Sequence, residues 1–194
     1  MNITHSRHLA RLSAAAVLGA ATAVAAIPAA NAAGDSAVTG GKTYVIPTAA
    51  VAKALHAKHI AVSGTGSARY TSIDGAKTLV LPIKGGTATP PDYVTRLGGG
   101  VKLKLRSHVV TLTGIVFDTK THKATASVDH GKRLAVFKLG DPQEGAGGPG
   151  EVVFGDYTVT LTKAGWKKID TKLHTQFFAH HPRIGTGTTD VKFT

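Results

Sequence analysis

The chain has 194 residues, no cysteine, and a formal charge of +12 from 23 Lys and Arg set against 11 Asp and Glu. The missing cysteine excludes disulfides, thiolate nucleophiles and thiolate metal sites, so stability has to come from an apolar core and hydrogen-bonded strands. The positive charge attracts anionic partners, such as cell-envelope material, without choosing among them.

The N-terminus reads as an export signal. His5, Arg7, His8 and Arg11 form a basic n-region, Leu12 to Ile27 supplies an apolar stretch, and Pro28 interrupts it before the small-residue cleavage site Ala30-Asn31-Ala32. The stretch is alanine-rich and shorter than the roughly 20 residues a helix needs to cross a bilayer. The expectation is a secretory signal peptide over residues 1–32 and a single β-rich domain over residues 33–194, secreted and extracellular, with no stable membrane insertion.

Residues 33–41 are small and polar, a frayed start or a first short strand, and Lys42 to Ile46 reads as a strand. Thr48 is placed to cap a helix carrying Val51, Ala52 and Leu55 at helical spacing. Extended structure returns at His59 to Val62, and Gly64 to Ser67 is a turn. Ser67 to Tyr70 and Thr78 to Ile83 are strands around a loop at Asp74-Gly75, with Lys84-Gly85-Gly86 and Thr89-Pro90-Pro91-Asp92 as punctuation.

After Tyr93, Gly98-Gly99-Gly100 leads into strict alternation over Val101 to Leu105. Val109 to Thr113, Ile115 to Asp118, Thr125 to Val128 and Lys132 to Leu139 follow with short links, which predicts an antiparallel meander. Residues 140–150, rich in glycine, read as a long loop. Gly155 to Leu161 is a strand, and Thr162 caps a second helix with Trp166, Ile169, Leu173 and Phe177 in one stripe, stopped by Pro182. Ile184 to Phe193 forms a closing strand. The fold class expected is mainly β: an antiparallel β-sandwich or barrel-like domain with two short capped α-helices.

Candidate chemistry is sparse. His56 and His59 stand three apart near the end of the first helix and His180-His181 at the end of the second. If those ends converge, the imidazoles suit zinc or copper. His108, His122 and His130 lie in or beside hairpin turns, which accounts for them. No Gly-x-Ser-x-Gly elbow, phosphate loop or His-Glu-x-x-His arrangement occurs, so no enzyme is expected. One tryptophan and scattered tyrosines do not make a stacking platform, so no specific nucleic-acid binding is expected. Tyr70, beside Arg69 at a strand end, and Tyr93, after Pro91-Asp92, are candidates to face a ligand cleft.

Thr95 to Leu103, Val109 to Thr113, Ala124 to Phe137 and Val159 to Trp166 together resemble secreted actinobacterial proteins of the HtaA-domain type, over residues 38–190. The resemblance implies a mostly β fold with short helices and haem bound through a tyrosine iron ligand supported by a histidine. Tyr44, Tyr70 and Tyr93 are then the candidate cofactor-binding residues. Where the family has Gly-His-Gly-Gly, this chain has Leu97-Gly98-Gly99-Gly100, so Gly98 takes the histidine position; the tryptophan-bearing motif before the tyrosine ligand is missing from Val38 to Ile46. The sequence therefore predicts a secreted β-rich binding or structural protein, envelope-associated through its charge, with an extracellular haem-binding protein as the alternative.

Overall fold

A computed structural model describes residues 35–194 apart from Asp74; the expected leader lies outside the described residues. Twelve strands form one antiparallel system, β1 (Ser36–Pro47), β2 (Ile60–Thr65), β3 (Arg69–Ile73), β4 (Ala76–Thr89), β5 (Asp92–Leu97), β6 (Gly100–Leu105), β7 (His108–Asp118), β8 (Lys123–Val128), β9 (Arg133–Leu139), β10 (Gln143–Ala146), β11 (Glu151–Leu161) and β12 (Arg183–Phe193). Three helices accompany them, α1 (Ala49–Ala57), α2 (Lys163–Leu173) and α3 (Phe177–His180).

Eight of the strands close on themselves in the order β7-β5-β4-β1-β12-β11-β9-β8, and the pairing of β8 back to β7 removes the edge. The fold is a barrel rather than a sandwich. β2 and β6 continue from the first half of β7, β3 lies along β4, and β10 lies along β11. Closure depends on β7 changing partners. Its first half pairs β6 through Thr113, and its second half pairs β5 from Val116, with a bulge between. The expected break between Val109–Thr113 and Ile115–Asp118 is therefore a kink within one strand. Arg133 Nη1 secures it by donating to the Gly114 carbonyl at 2.5 Å and to Thr125 Oγ1 at 3.1 Å.

Two other expected interruptions contain paired strand. β4 runs through Lys84-Gly85-Gly86, and a Cβ on Gly86 would lie 1.9 Å from the Val94 carbonyl oxygen, so glycine lets β4 and β5 approach there. Residues 140–150, expected as a loop, contain β10, whose pairing extends β11 back to Glu151 instead of Gly155.

β1 and β11 flank β12, both antiparallel to it, so they run in one direction and deliver α1 and α2 to the same barrel end. Both predicted caps form. Thr48 Oγ1 accepts from the Val51 N–H at 3.2 Å, and Thr162 Oγ1 from the Gly165 N–H at 2.9 Å. The second helix is shorter than its apolar stripe predicts. It ends where His174 adopts a left-handed conformation (φ 52°), and Phe177 opens the separate α3. Asp170 causes the break. Its carboxylate accepts the N–H groups of Phe178 and Ala179 at 3.0 and 2.8 Å, and its carbonyl accepts that of Thr175 at 3.0 Å. No described helix is long and apolar enough to cross a membrane.

Candidate functional site: a hollow barrel end

The helix-bearing end of the barrel is hollow. A cavity of about 110 Å³ lies there with an apolar surface throughout. Its wall is built from inward-facing strand positions, among them Val45, Leu81, Ala124 and Val159. Val51 and Leu55 of α1 and Phe178 of α3 cover it, and Tyr70 stands at one side. Phe117 and Tyr157 form the floor, with ring centroids 5.4 Å apart.

Eight strands enclose a space just wide enough for side chains to fill, so the size of the inward residues decides whether room is left. Here they are mostly Val, Leu and Ala. The Tyr157, Thr189 and Thr43 hydroxyls beside the cavity are paired with one another: Tyr157 Oη and Thr189 Oγ1 lie 2.7 Å apart, and Thr189 Oγ1 and Thr43 Oγ1 3.1 Å. Burial holds the Tyr157 phenol pKa far above its ordinary value, and the Thr189 bond offsets this only in part.

The three tyrosines singled out from sequence are not brought together. Tyr70, opposite Leu79 in the β3–β4 ladder, is half-buried in the cavity wall, and burial raises its pKa. Tyr44 faces the outer side of β1, in a groove with Gly41, Lys42, Glu151, Asp190 and Lys192; burial, then the Asp190 charge, raises its pKa. Tyr93 is 1% exposed at the opposite barrel end, edge-on to Phe154 with centroids 5.0 Å apart. Its pKa is raised by burial first and by Glu144 second. The fourth tyrosine, Tyr157, was not singled out, although its alternation with Val159 and Leu161 marks it as an interior residue.

The four histidines proposed as ligands lie at or just beyond the C-terminal ends of α1 and α3. His56 is exposed in the last turn of α1, and His59 lies beyond that helix in a left-handed conformation (φ 56°), off the helical face its spacing predicts. His180 is exposed at the end of α3, and His181 packs on Phe177 at 4.8 Å. Among the described residues, no group of three or more His, Asp or Glu side chains is placed to hold a metal ion.

With this geometry in view, the chain is similar in structure to the C-terminal domain of HtaA from Corynebacterium glutamicum, with a TM-score of 0.56 and 10% identity over 82% of this chain and 99% of that one. It is also similar to the heme binding protein HtaB from the same organism, with a TM-score of 0.50 and 12% identity over 82% of this chain and 96% of that one. The likeness is one of fold. No protein-family model and no curated protein sequence matches the chain.

The shared fold permits a test of the haem arrangement that the sequence resemblance implies. Gly98 is buried, and a Cβ there would sit 2.7 Å from Ser67 Oγ and 2.8 Å from Lys84 Cε. A side chain at this position would require Ser67 and Lys84 to move. Gly98 therefore supplies no histidine at the position the resemblance implies.

Proposed function

We propose that the chain is an extracellular binding protein, without catalytic activity of its own, that takes a compact apolar ligand into the hollow barrel end. The export signal read from residues 1–32 supports the location. The observation that carries the function is the apolar cavity beneath α1 and α3. Cavities of roughly 150 Å³ lined by apolar side chains stay dry and admit a benzene-sized molecule. At about 110 Å³ this one suits a single ring or a short branched chain. Entry beside Phe178 needs only a small displacement of α3, a helix of four residues. The exposed Lys102 and Lys104 on β6 add an envelope-facing charge that suits anionic wall material.

Haem capture is the second reading, favoured by the likeness to HtaB. A macrocycle is much larger than the cavity, and ligand sites for molecules of that class span roughly 300–1,000 Å³. The two readings separate in one experiment on the purified protein, titrated with hemin and, in parallel, with an apolar fluorophore. The expected result is fluorophore uptake abolished by Ala124→Leu, which fills the cavity, and no Soret band with hemin. A Soret band that disappears in Tyr70→Phe would replace this reading with haem capture.

A further inference from the structure

The structure brings together two histidines that the sequence keeps 66 positions apart. His108 opens β7, directly after the tight β6–β7 turn in which Arg106 is left-handed (φ 56°), and it pairs with Leu105 in the ladder. His174 caps the C-terminus of α2 in a left-handed conformation. Their rings lie 4.3 Å apart, centroid to centroid, tilted by 36°.

The contact is held by more than the rings. Lys172, two residues before His174, reaches Asp129 Oδ2 at 3.5 Å, and Asp129 Oδ1 accepts the Thr111 N–H at 2.8 Å. Asp129 therefore ties the last turn of α2 to the start of β7, and each imidazole is carried on an independently fixed backbone. Both remain accessible: His174 is exposed and His108 half-buried. An open depression lined by Asp170, Thr171, Thr175 and Gln176 lies beside His174.

We propose that His108 and His174 form a two-imidazole clip for a divalent late first-row transition ion, with Cu²⁺ held most tightly. Neutral imidazoles are preferred ligands of Cu²⁺, Ni²⁺ and Zn²⁺, and among these ions nitrogen sites favour Cu²⁺. The helix dipole makes the C-terminal end of α2 favourable to a cation. With two protein ligands, water completes the coordination sphere from the open side. The bound ion cross-links the β6–β7 hairpin to the end of α2.

The test is a CuCl₂ titration of the full, tag-free protein followed by calorimetry. One tight site per chain is expected, and His108→Gln or His174→Gln weakens it by about 10²-fold, the loss that follows when two-point attachment becomes one-point. His56→Gln with His59→Gln, and His180→Gln with His181→Gln, leave it unchanged. A wild-type measurement guards against misfolded variants: sub-stoichiometric Cu²⁺ broadens the NMR signals of His108 and His174 before those of other histidines. Broadening that begins at His56, His59, His180 or His181, or a tight site that survives His108→Gln, overturns the proposal.

Discussion

The two ends of the barrel are made by the same eight strands and filled differently. At the end away from the helices, Tyr93 lies edge-on to Phe154 at 5.0 Å and reaches Phe193 at 6.4 Å. Val38, Ala88, Val152 and Val191 are buried around them. At the helix-bearing end the inward positions include Val45, Leu81, Ala124 and Val159 beside Tyr70 and Phe137, and a cavity remains. Backbone closure is common to both. The difference lies in side-chain volume: aromatic rings reach the barrel axis, whereas valine and alanine stop short of it. The filled end serves stability, and the hollow end is the one we propose takes up a ligand.

The sharpest way to break this contrast is to remove volume at each end. Phe154→Ala is expected to destabilise the fold by about 3–5 kcal/mol, since it opens a void between Tyr93 and Phe117 in the fully buried end of the barrel. The same Val→Ala change made twice gives a closer comparison. At Val191, fully buried in the filled end, it is expected to cost about 2 kcal/mol; at Val159, which already borders the cavity, about half as much. Urea unfolding measures all three. Equal losses at Val191 and Val159 would show that the hollow end is packed as tightly as the other.

Much of the barrel was legible because strand alternation and helix capping are local. Val101 to Leu105 declared β6, and Thr48 and Thr162 declared both helix starts through the hydroxyl each places over the first turn. Closure was not legible, because it needs β7 to exchange β6 for β5 in mid-strand, and no local pattern states which strand pairs with which. The break after Leu173 was also hidden. The apolar stripe continues through Phe177, but a side chain seven residues earlier, Asp170, takes the backbone N–H groups that start α3.

The candidate site was less legible still. A cavity is a sum of volumes contributed by residues far apart in sequence, so Tyr70 could be suspected but its separation from Tyr44 and Tyr93 could not be foreseen. One signal was available: inward positions near the helix-bearing strand ends are small, at Val45 and Val159, whereas those at the far ends include Tyr93 and Phe154. His108 and His174 meet only through the tertiary fold.

A perturbation of the size expected at Val191 tests how the hollow end is closed. Asp170 is buried and holds α3 over the cavity through two charge-assisted hydrogen bonds. Asp170→Ala leaves those N–H groups unpaired and is expected to cost about 2 kcal/mol. It should also speed association of an apolar fluorophore, measured by stopped flow, because Phe178 loses its anchor. If stability falls and association is unchanged, α3 is a structural element and the ligand enters elsewhere.

An effect as small as that at Val159 belongs to Tyr157, on the boundary between the two ends. Tyr157→Phe removes the hydroxyl next to Thr189, which keeps Thr43 as a partner, so the cost at neutral pH is about 1 kcal/mol. The pH dependence identifies the residue. In the unfolded chain a tyrosine ionises near its ordinary value of 10.0, whereas burial holds the folded Tyr157 phenol protonated well above that. The native state therefore binds more protons than the unfolded state above that value, and stability falls as pH rises. The other three tyrosines are shifted the same way and contribute to the slope in both proteins. Without the Tyr157 phenol, the variant's stability should decline less steeply, so the gap from wild type narrows above pH 10.0 and then reverses. Parallel curves for the two proteins in alkaline urea titrations would mean that the Tyr157 hydroxyl is reached by water from the cavity, and that the hollow end is wetter than its apolar wall implies.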